Sequence, residues 1–283
     1  MTVAHDVAAV VVDFHAGAAL ARCVATLRAD GLARIVVVEN GAPGTARAAL
    51  DEDPAEIVEP GVNLGYGRAV NRGAARVGDY AFLLVSNPDI EVHPGAVATL
   101  VNFLDDHPEI AVAGPTIERP DGTVYPSHRI FPNVALAALH ALLAPLWPDN
   151  PATRRYRSPR PGGAVDWVSG AFFLVRRDVF ERVGGFDERY FMFAEDMALC
   201  WAVREAGFSV AAVPDARVTH QEGLSRARAP RAMVVAHHVS ALRFEWQTAR
   251  GVRRLFAPVA SLVLGVRLAL ILAREGRPGP RSA

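Results

Sequence analysis

Glu195 and Asp196 stand side by side where an aromatic run, Tyr190, Phe191 and Phe193, gives way to an amphipathic pattern. Adjacent carboxylates held against apolar walls have their pKa raised toward the range of a general base. They also have a plain structural reading, because acids at a helix start complement its dipole. Two further signals accompany them. Asn87-Pro88-Asp89 closes the apolar run FLLVS, and His220 opens HQEGLS. A carboxylate on a strand-end turn can hold a hard divalent cation, and a neutral imidazole can share it. Asn, Pro and Asp are equally at home in a simple turn, and a lone histidine on the surface is commonplace. The stretch 61–74, GVNLGYGRAVNRGA, puts glycine and asparagine just before a helical pattern, where backbone amides can meet a phosphate or a sugar. Its glycines at 61, 65, 67 and 73 do not form a dinucleotide fingerprint, nor do they follow the first strand, which disfavours a nicotinamide oxidoreductase.

The elements that must position these residues alternate. Apolar runs at 7–13, 34–39, 56–59 and 80–86 read as strands, and 17–30, 44–51, 66–77 and 94–106 read as helices. The runs are continuously apolar, as strands covered on both faces should be. Alternation of this kind predicts an α/β fold with a mostly parallel sheet, whose ligands bind beyond the carboxyl ends of the strands. Asp13, Glu39-Asn40 and Asn87-Pro88-Asp89 all fall at such ends. Farther on, PDGT at 120–123 predicts a hairpin turn, 133–147 an apolar helix, 148–163 a loop, 165–177 a strand and 208–214 another. The helix after Glu195 is expected to be largely buried, and 226–275 is expected to be helical.

The chain has 283 residues, 51% of them hydrophobic, enough to bury a sizeable core. Net charge is zero but unevenly placed: from Arg217 onward 12 arginines face only Glu222, Glu245 and Glu275, a net of +9 on a body of −9. A basic tail on an acidic body points to an anionic surface, membrane or nucleic acid. Cys23 and Cys200 lie far apart with no CxxC, which excludes a disulfide framework and a cysteine zinc site and fits a reducing compartment. The N-terminus reads as a first strand rather than a signal peptide.

The ordered set VVVENGAPG (36–44), NLGYGRAVN (63–71), LLVSNPDIEV (83–92), GPTIERPDGTVYPSHRIFP (114–132), the stretch from Trp167 to Cys200, and VPDARVTHQEGLS (213–225) resembles the inverting family 2 glycosyltransferases of the GT-A fold. The likeness is greatest to their bacterial rhamnosyltransferase branch and runs from about residue 7 to about residue 225. HHVSALRF (237–244) extends it less diagnostically.

The resemblance implies a GT-A domain over 1–225, with a nucleotide-binding half of about 1–115 and an acceptor half of about 116–225, followed by a basic amphipathic helical tail over 226–283. It implies Mg or Mn held by Asp89 and His220 on a donor diphosphate, Asp196 as general base, and Glu195 positioning acceptor or base. Asp13, Glu39, Asn63, Gly65, Asn71 and Asn87 would join Asp89 on the nucleotide-sugar side, and Trp167, Gly170 and Ala171 would border the acceptor. Transfer of L-rhamnose from dTDP-L-rhamnose to a polyprenyl-diphosphate-linked GlcNAc in cell-wall or surface polysaccharide assembly is the implied reaction. Its implied setting is the cytoplasmic face of the inner membrane, with no nucleic acid partner. Three departures stand out: Glu39 replaces a commoner aspartate, Asp13 a small or polar residue, and Ala198 a second aspartate of an EDxD pattern. They keep a noncatalytic nucleotide-sugar-binding homologue open. The stretch 255–273 is interrupted by Pro258 and Arg267, so an interfacial helix is favoured over a transmembrane one. Packing on the domain, or across a homodimer, stays open as well.

Overall fold

The computed structural model describes residues 6–50, 55–131, 140, 143–151, 153–154, 164–221 and 230–275. The expected helix 133–147 and loop 148–163 lie largely outside the described residues.

Four parallel strands form the first half of the main sheet: β1 (Val7–Asp13), β2 (Arg34–Glu39), β3 (Glu56–Val58) and β4 (Phe82–Ser86). Helices α1 (Ala18–Ala29), α2 (Thr45–Ala49) and α3 (Tyr66–Ala74) connect them. Then come β5 (Ile90–Val92), α4 (Ala96–Asp106), β6 (Ile110–Glu118), β7 (Val124–Tyr125), β8 (His128–Arg129), β9 (Ala164–Val165), β10 (Trp167–Val168), β11 (Phe172–Arg176), α5 (Arg177–Arg182), α6 (Glu195–Glu205) and β12 (Ser209–His220). The sheet order is β3-β2-β1-β4-β11-β6-β12-β5, with β7 and β9 paired at its side and β10 paired with β8 apart from it. β11 runs antiparallel to both β4 and β6, and β5 antiparallel to β12, so the sheet is mixed and mostly parallel.

The continuous apolar runs are explained by cover on both faces. Val7, Ala9 and Val11 of β1 pack with Leu20, Cys23 and Leu27 of α1 and with Leu100 and Leu104 of α4. Ala8, Val10 and Val12 pack with Val70 of α3, Phe180 of α5, and Leu199 and Val203 of α6. Full burial of each such valine, leucine or phenylalanine contributes about 1.5–3 kcal/mol, so alternate residues of one strand stabilise two separate layers. Gly73 lets α3 lie against the sheet: a Cβ there would stand 2.6 Å from Val10 Cγ1 and 2.9 Å from Val38 Cγ2.

Two sequence expectations are corrected. The strand expected over 165–177 is broken at Asp166 and again at 169–171, where backbone groups turn out of the ladder to other partners. The strand expected to end at 214 continues to His220, because a bulge between Val213 and Arg217 takes up Pro214, which has no N–H for the ladder. The turn at 120–123 does link two antiparallel strands, β6 and β7.

The chain groups into two compact units. The first comprises Met1–Phe131, Arg157–Phe191 and Glu195–Ser225, and the second Pro132–Tyr156, Met192–Ala194 and Arg226–Ala283. The second unit takes in the segment expected as a helical tail. Among the described residues it holds the long helices α7 (Pro230–Thr248) and α8 (Val252–Glu275), joined by a short link and by Trp246 Nε1 donating to Ser261 Oγ at 2.9 Å. Among the described residues no helix is long and apolar enough to cross a membrane. α8 contains Pro258 and leaves Leu255, Val259, Leu262, Val266 and Leu270 exposed.

Candidate active site

Asp89 and His220 are 131 residues apart in sequence and meet because β5 pairs with the end of β12, placing His220 opposite Ile90. Gln221 N–H donates to the Asp89 carbonyl at 3.0 Å and fixes the turn from the other side. His220 Nε2 stands 3.0 Å from Asp89 Oδ1, with Asn87 Nδ2 at 3.5 Å, and both side chains are largely buried. His220 Nδ1 is buried with no protein partner. Among the described residues no three acidic, histidine or cysteine side chains form a metal-binding group. A two-ligand protein share nonetheless fits a hard cation that takes its remaining ligands from a diphosphate and water. The 3.0 Å separation also matches the distance of about 3.0 Å between neighbouring ligands on an octahedral ion with bonds of about 2.1 Å.

Asp196 lies in the first turn of α6, and its two oxygens are held separately. Gly170 N–H donates to Oδ2 at 2.8 Å and Met197 N–H to Oδ1 at 2.8 Å. These bonds explain the break in the strand at 169–171. Asn87 N–H donates to the Ala171 carbonyl at 2.8 Å and Tyr66 Oη to the Gly170 carbonyl at 2.6 Å, so this turn links the Asp89 corner to the acid pair. Burial raises the Asp196 pKa, opposed by the N–H groups of Gly170 and Met197 and by the charge of Arg129. Glu195 is buried with Oε2 unpartnered, and burial, aided by the charge of Asp196, pushes its pKa up to about 8. Burial raises the pKa of both groups, so the pair resists carrying two negative charges, and the Gly170 and Met197 N–H groups favour leaving a single charge on Asp196. Just before the pair, Phe193 and Ala194 adopt φ of 67° and 61°. Left-handed backbone costs about 1–2 kcal/mol for each residue with a Cβ.

The remaining expected residues are placed on the strand-end rim or beside it. Asp13 and Glu39 are register partners at the ends of β1 and β2. Asp13 is buried, with Oδ1 accepting from Ala16 N–H and Oδ2 unpartnered; burial raises its pKa. Burial also opposes the charge of Glu39, but the N–H groups of Ala46 and Gly44 and the Thr45 hydroxyl outweigh it and hold its pKa down. Glu39 thereby caps the start of α2. Asn63 Oδ1 accepts from Gly65 N–H and from Asn40 Nδ2. Gly65 is required, since a Cβ there would stand 2.2 Å from the Phe191 carbonyl oxygen. Asn71 does not face this rim with its neighbours: its amide exchanges two 2.8 Å bonds with the backbone of Phe186. Trp167 is buried, donates to the Ile130 carbonyl and carries the Arg129 guanidinium over its ring.

Two residues of the site, Tyr66 and Arg129, were not singled out from sequence. Tyr66 is surrounded by acids: burial and then the charges of Glu195, Asp196 and Asp89 raise its pKa well above the usual phenol range. Arg129 supplies positive charge toward Asp196. Asn40 ties the 63–65 loop, accepting from Leu64 N–H at 2.7 Å. Tyr66 and Arg129 fall inside stretches whose family likeness was evident, but nothing in their spacing marks them.

A family model described as Glycosyltransferase like family 2 matches residues 5–236. The chain belongs to this family. It is a nucleotide-sugar-dependent glycosyltransferase. Over 228 residues, 74% of this chain and 73% of the relative, it is 40% identical to the N-acetylglucosaminyl-diphospho-decaprenol L-rhamnosyltransferase of Mycobacterium tuberculosis. Rhamnosyltransferase WbbL of Escherichia coli is 46% identical over 56 residues, 20% of this chain and 21% of that protein. Among solved structures, the mannosyltransferase PcManGT of Pyrobaculum calidifontis, in complex with GDP-Man and Mn2+, aligns with a TM-score of 0.60 at 16% identity, over 97% of this chain and 76% of its own. That likeness carries the GT-A fold, as expected from the sequence of this glycosyltransferase.

Proposed function

We propose that this glycosyltransferase moves L-rhamnose, from dTDP-L-rhamnose, with inversion onto a polyprenyl-diphosphate-linked GlcNAc in cell-wall or surface polysaccharide assembly. The observation that carries the substrate reading is the 40% identity, over 74% of the chain, to a relative named for that acceptor and that sugar. The mechanism rests on the acid pair. Asp196, oriented by the Gly170 and Met197 N–H groups that favour its charged form, takes the proton of the acceptor hydroxyl as its oxygen attacks the anomeric carbon. Glu195, holding its own proton, keeps a second negative charge away from the developing one and offers the acceptor a hydrogen-bond donor. Asp89 and His220 would hold a divalent cation, which when bound neutralises charge on the leaving diphosphate. A mixed carboxylate and imidazole pair favours Mn over Mg, whose ligands are oxygens. Asp13, with its unpartnered Oδ2, is the rim acid free to meet the nucleoside.

The finer partner is an anionic membrane surface on the cytoplasmic side. The +9 tail and the exposed stripe Leu255, Val259, Leu262, Val266 and Leu270 support an interfacial helix. Flotation with anionic liposomes at low salt tests this; a full-length chain that ignores them leaves the stripe to a second copy.

The activity is tested by transfer to a prenyl-diphosphate GlcNAc analogue with Mn, after a thermal-shift panel of nucleotide sugars. dTDP-rhamnose should raise the melting temperature most, because a ligand that binds only the native state stabilises it. Preferential stabilisation and transfer with a different sugar nucleotide would replace the rhamnose reading.

A further inference from the structure

The turn that delivers the acid pair is held from both ends. Phe191, its first residue, gives its carbonyl to Tyr66 N–H at 3.0 Å, across the close approach that only Gly65 permits. The next three residues, Met192–Ala194, group with the helical unit and not with the sheet. Ser240 Oγ on α7 donates to the Met192 carbonyl at 2.8 Å, and Ser240 is buried. One turn earlier on the same helix, the His237 ring meets the Phe193 ring edge-on with centroids 5.4 Å apart. Phe193 and Ala194 are the strained pair, and Glu195 follows directly. Among the described residues His15 is the only other non-glycine with positive φ. Backbone in this region persists only where its surroundings over-determine it.

We propose that Ser240, seconded by His237, is a positioning residue for the reaction. By clamping Met192 and Phe193 it keeps the left-handed turn that aims Asp196 at Gly170 N–H and keeps Glu195 buried. The inference rests on Asp196 being the base, and gives the C-terminal helices a part in turnover. Without the clamp the turn relaxes toward ordinary right-handed or extended backbone, and the first turn of α6 loses its fixed start. The donor diphosphate corner at Asp89 and His220 is held chiefly by the pairing of β5 with β12.

The experiment uses the full chain with a soluble acceptor analogue. Ser240→Ala should lower kcat by about three- to tenfold, the range expected for one neutral hydrogen bond, while donor affinity by calorimetry stays within about twofold. Ala194→Gly, which removes the penalty of a positive φ, should in the double variant return most of the loss, measured against Ala194→Gly alone. A merely structural role for Ser240 would not give that rescue. If Ser240→Ala does not fold, His237→Ala serves, since His237 as a whole is exposed on α7; it should lower kcat about twofold, again rescued by Ala194→Gly. Asp196→Asn is run beside them. A crippled Asp196→Asn with Ser240→Ala and His237→Ala both at wild-type kcat overturns the clamp alone. A fully active Asp196→Asn overturns the base assignment and the clamp with it. A Ser240→Ala loss shared equally by donor affinity, and not recovered by glycine, also overturns the clamp.

Discussion

The polar residues beyond the strand ends fall into two sets that composition does not distinguish. Around β2 and α3, Glu39, Asn40, Asn63 and Asn71 have their side chains committed to backbone groups, or to one another, within the protein. Around β5, β12 and the start of α6, the buried Asp89 and Glu195 and the partly buried His220 and Asp196 are not saturated, and two of their atoms have no partner at all. The first set holds loops in place; the second is left with charge and lone pairs to offer a ligand. Buried polar groups are nearly always bonded, so a cluster of unmet ones marks where the fold has given up stability for chemistry. Asp13 belongs with the second set despite its position in the first region, because its Oδ2 is unmet and burial raises its pKa.

The largest effect should come from the atom that takes the proton. Asp196→Asn keeps the shape and can still accept from Gly170 or Met197, but it removes the base. Turnover should fall by about 10²–10⁴-fold, with donor affinity little changed. Near wild-type turnover would break the comparison at its centre, and a crippled Glu195→Gln beside it would move the base to Glu195.

Next is the cation corner. Asp89→Ala should abolish the metal-dependent part of donor binding, measured by calorimetry with Mn and with EDTA. Equal donor affinity under both conditions in the unaltered protein would take the metal out of the mechanism and leave the Asp89–His220 contact as a plain hydrogen bond.

The first set predicts the opposite pattern. Glu39→Ala strips the acceptor from two N–H groups and one hydroxyl at the start of α2. It should lower stability by about 1–3 kcal/mol in urea melts, with kcat at saturating donor nearly unchanged. Lost turnover without lost stability would move Glu39 into the second set.

The division between the sets is where sequence reading stops. β1, β2 and β4 were legible because a strand covered on both faces has to be continuously apolar, and that requirement is local. The adjacency of Glu195 and Asp196 at a helix start was legible for the same reason. The break at 169–171 was not, since its causes are Asp196, 26 residues on, and Asn87, 84 residues back. Pro214 reads as a strand end, and only the pairing of β12 with β6 shows that a bulge absorbs it. The carboxamides of Asn63 and Asn71 look equally suited to a sugar; the structure shows that Asn71 is turned to Phe186. Tyr66 gains its acidic surroundings only when 66, 89 and 195–196 are brought together, as no spacing records.

Among the groups of the second set, the smallest effect on rate, and the sharpest test of the electrostatics, is Glu195→Gln. Glutamine mimics the protonated acid, so at pH 7 turnover should stay within a few fold of wild type. The wild-type rate should change near pH 8, where Glu195 ionises beside Asp196, and the variant should lack that transition. Stability should show the same group with a definite sign. Glu195 titrates near about 4.3 in an unfolded chain and at about 8 in the folded one. Between those values the native state binds a proton that the unfolded state has lost. Its stability therefore falls as pH rises, by at most about 1.4 kcal/mol per pH unit, and levels off above the folded pKa. The glutamine variant has no such slope at this position, so urea melts at pH 5, 6.5 and 8 should show it gaining on wild type at each step. Parallel stability profiles would mean that Glu195 is already ionised in the folded protein. Two adjacent charges would then share the site, and the proton assigned to Glu195 would have to be given up.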